Sequence, residues 1–104
     1  MMNAVHLTDL FNAQFTGQKF CPDILFSKIV NVNSALEVIK TEHLPIRFSF
    51  GTPNDDETSL NDWKELRCVT LDDMTDAEIS KQYKVYEIWY DGDDGCIEVM
   101  LEVE

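Results

Sequence analysis

The chain has 104 residues, 44% of them hydrophobic, and its 20 acidic side chains outnumber 8 basic ones to give a net charge of −12. This length makes one domain, 1–104, with a modest core of its own, and the composition argues against disorder. So acidic a surface excludes direct binding to nucleic acid or to an anionic membrane, because both need clustered Lys and Arg.

The start of the chain, Met1 to Leu10, has neither a basic cluster nor an apolar block, so no signal peptide is expected. No apolar run approaches the roughly 18 residues of a membrane span. Cys21, Cys68 and Cys96 are odd in number and far apart, which fits a reducing cytoplasm better than a disulfide scaffold.

Thr8 is the expected cap of a first helix through Phe15, with Leu7, Leu10, Phe11 and Phe15 on one face and Gly17 as the stop. Pro22 and Asp23 suit the first turn of a second helix through Val30, although this short apolar run also fits a strand. Ser34-Ala35-Leu36-Glu37 is a capping box that opens a helix to His43, ended by Pro45.

The period then changes to two. Ile46 to Phe50 alternates as a half-buried strand does, and Gly51 to Ser59 has turn chemistry. Asp62 is placed as the cap of one helical turn around Trp63, before a strand from Leu66 to Leu71. Thr75-Asp76-Ala77-Glu78 is a second capping box. Tyr83 to Tyr90 reads as a strand, Asp91 to Gly95 as a turn, and Cys96 to Val103 as a strand with Ile97, Val99, Leu101 and Val103 on its buried face. The expected fold is α+β: N-terminal helices on one face of an antiparallel sheet of about four strands that ends in a C-terminal hairpin.

No catalytic, cofactor or metal site is expected. The Asp91–Gly95 turn departs from a calcium loop at its fifth and sixth positions, which are Gly95 and Cys96. The cysteines and His6 and His43 lack the close pairing of structural zinc sites. No phosphate loop, nucleophile elbow or zinc-protease motif occurs. A non-enzymatic role follows. Cys21 and Cys68 sit in apolar stretches as buried small side chains, Cys96 is the more exposed, and His6 lies in a frayed terminus.

The charge is unevenly distributed. Residues 1–52 carry four acids against four bases, whereas residues 53–104 carry sixteen acids against four. Such asymmetry points to a charged partner, here a basic protein that handles nucleic acid. The partner-binding surface is expected at Asp55, Asp56 and Glu57, then Asp72, Asp73, Asp76 and Glu78, then Asp91, Asp93 and Asp94. The aromatic cluster Trp63, Tyr83, Tyr86, Trp89 and Tyr90 reads first as core and cross-strand packing. Tyr86 and Tyr90, on one strand face, are candidates to flank Glu98 in a binding hot spot.

In size and charge the chain resembles phage-encoded DNA mimics and anti-defence proteins, and also immunity proteins that block cationic nuclease toxins. No motif carries this likeness, so it assigns no residue. It implies an inhibitor or antagonist that occupies a cleft evolved for phosphates, with the immunity protein or an acidic housekeeping subunit as alternatives.

Overall fold

The computed structural model describes residues 3–32, 35–53 and 63–103. The first helix, α1 (Ala4–Phe15), begins a turn before Thr8. Asn3 caps it, its side chain accepting from the His6 N–H at 3.0 Å and so satisfying a donor orphaned at the helix start. Thr8 is buried and donates its hydroxyl to the Val5 carbonyl. His6 therefore stands in the first helical turn, not in a frayed terminus. Leu7, Phe11 and Phe15 form a buried stripe as expected, whereas Leu10, expected with them, is only partly buried.

The ambiguous second segment is helical. In α2 (Pro22–Val30), Pro22 occupies the first turn and Leu25 and Ile29 are buried four residues apart. Helix α3 (Ala35–Thr41) follows, and His43 turns the chain out with a left-handed φ of 53° before Pro45. The expected capping box at Ser34 and the cap at Asp62 lie outside the described residues. Trp63 itself belongs to a strand, not to a helical turn.

The sheet has five strands rather than four, and it is mixed rather than antiparallel. Its strands are β1 (Lys19–Phe20), β2 (Ile46–Pro53), β3 (Trp63–Thr70), β4 (Tyr83–Asp91) and β5 (Cys96–Glu102), in the order β1-β4-β5-β2-β3. The extra strand, β1, is only two residues long and pairs with the start of β4. β5 lies at the centre, antiparallel to β4 and parallel to β2. Gly51, Thr52 and Pro53, expected in a loop, extend β2 because each pairs with β3.

One face of this sheet carries the core. Ile46, Phe48 and Phe50 of β2, Tyr83, Val85 and Ile88 of β4, and Ile97, Val99 and Leu101 of β5 pack with the stripes of α1, α2 and α3 in one cluster. A 3-10 turn (Leu71–Asp73) and α4 (Asp76–Ser80) lead from β3 back to β4. The Thr75 capping box is formed in full: its hydroxyl accepts from the Glu78 N–H, and the Glu78 carboxylate accepts from the Thr75 N–H.

Candidate functional site

The second face of the sheet turns away from the helices, yet its centre is closed. Cys96, Glu98 and Met100 on β5 are each less than a tenth exposed, and Ser49 on β2 is fully buried. A central strand has neighbours on both sides, so even its polar face is shielded. Trp63 supplies part of the cover. Its ring lies against Gly51 and stacks on Tyr86, with centroids 4.9 Å apart and planes tilted by 29°. Trp63 stands on β3 and Tyr86 on β4, so the pair bridges over β2 and β5.

Beside this bridge is a chain of hydrogen bonds. The Trp63 indole N–H donates to Ser49 Oγ at 3.0 Å, and the Ser49 hydroxyl donates to Glu65 Oε1 at 2.7 Å. The relay fixes the Glu65 side chain, and its carboxylate meets that of Glu98 and the thiol of Cys68. One ligand-type atom from each of Glu65, Cys68 and Glu98 lies within 4.8 Å of the others. Two strands contribute: Glu65 and Cys68 from β3, and Glu98 from β5, across the small Ser49 of β2.

The environment acts on the protons of these groups. Burial, then the neighbouring Glu65 carboxylate, pushes the Glu98 carboxyl above its ordinary range, and Arg47 only partly offsets this. Burial, then the charges of Glu98 and Glu65, raises the Cys68 thiol to about 11. Arg47, the register partner of Glu98, directs its guanidinium to Asp94 at 3.1 Å and Asp91 at 3.8 Å. Among the described residues, its buried Nε has no hydrogen-bond partner.

A carboxyl whose proton is held more tightly in the folded state contributes stability below the unfolded carboxyl range, near pH 4.3. That contribution is lost as pH rises through the folded value. Glu98→Gln keeps a neutral donor opposite Glu65 at every pH. The variant is expected to be more stable than the parent at pH 8 by about 1–2 kcal/mol, with the gap closing towards pH 4. Urea unfolding at the two pH values measures this, and a pH-independent difference would contradict it.

The expected partner-binding residues divide into several groups. Tyr90 pairs with Ile97 on the helix-facing side and packs against the core. Tyr86 is the extra residue of a bulge between Val85 and Glu87, so it does not share a face with Ile88 and Tyr90. Glu98 is buried, not flanked by exposed tyrosines. The exposed aromatic beside it is Trp89, its register partner on β4. Glu78 is engaged by its cap and by Arg67, 3.3 Å away. Asp55, Asp56 and Glu57 lie outside the described residues. The exposure of the cysteines is the reverse of that expected: Cys96 is buried, whereas Cys21 and Cys68 are partly exposed.

Asp72, Asp73, Asp91, Asp93 and Asp94 do come together at one end of the sheet. β2 and β5 run parallel from Ile46 and Ile97, and β3 returns to pair Thr70 with Arg47. The turn that closes β4 onto β5 at Asp91 and Cys96 therefore leaves the sheet at the same end as the 3-10 turn that carries Asp72 and Asp73. Lys19, Lys64, Lys81 and Lys84 are at or beside the opposite end, where β4 begins and β2 finishes. Among the described residues, the five aspartates and these four lysines thus stand at opposite ends of the strands, although Glu102 lies beside Lys84. Among the described residues, Asp72, Asp73 and Asp93 enter no ion pair, whereas Arg47 meets Asp91 and Asp94.

Comparison with protein-family models, curated proteins and solved structures finds no match.

Proposed function

We propose that this protein is a non-enzymatic antagonist that binds a basic, nucleic-acid-handling protein through the acidic end of its sheet. The observation that carries this reading is the convergence of Asp72, Asp73, Asp91, Asp93 and Asp94 from two separate turns. The Asp91 carboxylate is fixed by accepting from the N–H groups of Asp93 and Asp94, so that turn holds its charges at set spacing. Asp72, Asp73 and Asp93 are exposed. Carboxylates presented from two turns at one end of a sheet complement a cleft shaped for phosphates, and complementary fields accelerate encounter.

The test is affinity capture over a salt gradient, followed by competition with duplex DNA. The expected partner elutes only at high salt and is displaced by DNA. Asp72→Asn/Asp73→Asn/Asp93→Asn is expected to slow association at low salt by about tenfold or more and to flatten its salt dependence. Neutralising exposed acids in and next to the helices, Asp9→Asn/Glu37→Gln/Glu42→Gln, is expected to change it far less. Equal losses from the two triples would reduce the effect to net charge and remove the basis for an acidic end. Unchanged capture by the first triple would overturn the reading outright.

A further inference from the structure

Three groups that attract cations meet on the face of the sheet turned away from the helices, Glu98 buried, Cys68 partly exposed and Glu65 exposed, and this feature is distinct from the two acidic turns. We propose that Glu65, Cys68 and Glu98 form a binding site for a thiophilic divalent cation of the zinc type.

The donor set selects the ion. Two carboxylates and one sulfur match a borderline metal such as Zn²⁺, whereas Mg²⁺ and Ca²⁺ take oxygen alone. The separations are close to those required. Two oxygens and one sulfur around a tetrahedral zinc stand about 3.3–3.5 Å apart, given bond lengths of about 2.0 Å to oxygen and 2.3 Å to sulfur. The three atoms here lie within 4.8 Å of one another, so binding requires small adjustments of Cys68 and Glu98 towards the oriented Glu65.

The surroundings point the same way. Glu98 is nine-tenths buried and faces another carboxylate and a thiol. Among the described residues, no N–H group donates to its carboxylate. Arg47, the nearest cation by register, makes its contacts with Asp91 and Asp94 instead. Glu65 is already oriented by the Ser49 hydroxyl, which is held in turn by the Trp63 indole. Metal ligands are ordinarily positioned by just such an outer layer of hydrogen bonds. Three protein ligands leave a fourth position for water or for a side chain of a partner.

Titration of the reduced protein with Co²⁺ as a spectroscopic stand-in is the direct test. One Co²⁺ per chain is expected, with a thiolate-to-cobalt charge-transfer band that Zn²⁺ abolishes by competition. Cys68→Ser should remove the band, and Cys21→Ser should keep it. Glu65→Gln and Glu98→Gln should each weaken binding tenfold or more, and Ser49→Ala should weaken it less. A second measurement needs no variant: Zn²⁺, but not Mg²⁺, should protect Cys68 from alkylation, as mapped by mass spectrometry. Absence of the band in the parent protein, its survival in a folded Cys68→Ser, or equal alkylation with and without Zn²⁺ would each overturn the site.

Discussion

Gly51→Ala is expected to cost about 3 kcal/mol, a fall in Tm on the order of 15 °C, although it adds only one methyl group. Gly51 sits on β2 where it pairs with both Glu65 of β3 and Glu102 of β5. A Cβ there would overlap the backbone carbonyl oxygen of Lys64, and it would meet the Trp63 ring at 2.9 Å from Cε2. The first neighbour is backbone held in the sheet and the second is a ring held by Tyr86 and Ser49, so neither yields cheaply. The β3 bulge, where Leu66 is left over between the pairs Phe50–Arg67 and Gly51–Glu65, is adjacent. A forced shift there would also move Glu65 away from Ser49. Gly92→Ala is the matched control, because its added Cβ would find only Tyr90 at 3.8 Å. It is expected to remain within about 0.5 kcal/mol of the parent. Thermal melts of the two variants, read by tryptophan fluorescence, separate a close-approach glycine from a general effect of losing glycine. Similar melting temperatures would show that the close approach relaxes without cost.

The contrast between these glycines illustrates what was legible in the sequence. The helix stripe Leu7, Phe11, Phe15 and the alternation Ile97, Val99, Leu101 appear as read, because each is a local period imposed by one large apolar face. Strand order is not local. A parallel neighbour such as β2 beside β5 is fixed by the path of the whole chain, and a two-residue β1 is too short for any period to register. Nor does turn chemistry at Gly51-Thr52-Pro53 announce that β2 continues, since the glycine is there for Trp63 rather than for a turn. The bulge of β4 shows only in the burial of the folded strand, because Tyr86, Ile88 and Tyr90 alternate in the sequence. In β4 the buried positions are Tyr83 and Val85, then Ile88, with Tyr90 packed on the same core. The step from 85 to 88 breaks the period of two and marks the bulge at Tyr86.

The candidate sites differ in the same way. The acids of the sheet end were visible as residues, but their convergence depends on β2, β3, β4 and β5 placing two turns together. Glu65, Cys68 and Glu98 lack metal-ligand spacing because their proximity runs across strands, over Ser49, rather than along one segment. A buried glutamate on the polar face of an alternating strand looks like an exposed one until that strand proves to be central.

The edge of the sheet beyond β1 is closed by a side chain. β1 covers only Tyr83 and Lys84 of β4, and the backbone of Gly17 and Gln18 extends the pairing to Val85. Past the bulge, Ile88 would present an N–H and a carbonyl with no strand to receive them, which is the ordinary hazard of a sheet edge. Asn12, on α1, takes both. Its Nδ2 donates to the Ile88 carbonyl at 2.6 Å, and its Oδ1 accepts from the Ile88 N–H at 2.8 Å. One amide side chain thereby imitates a strand residue and ties the helix layer to the sheet. Asn12→Ala is expected to cost about 2–4 kcal/mol, because it leaves two partly buried backbone groups unpaired, and to speed hydrogen exchange at the Ile88 amide. Asn12→Asp distinguishes the two bonds. At neutral pH its carboxylate still accepts from the Ile88 N–H but sets an acceptor against the carbonyl, so the variant is destabilised. Below the carboxyl range its proton restores the missing donor, and stability relative to the parent should recover as pH falls. Absence of a deficit at neutral pH would mean that the carbonyl bond contributes little and that the clamp acts through the Ile88 N–H alone, and a deficit that is constant with pH would mean that it does not arise from the missing donor.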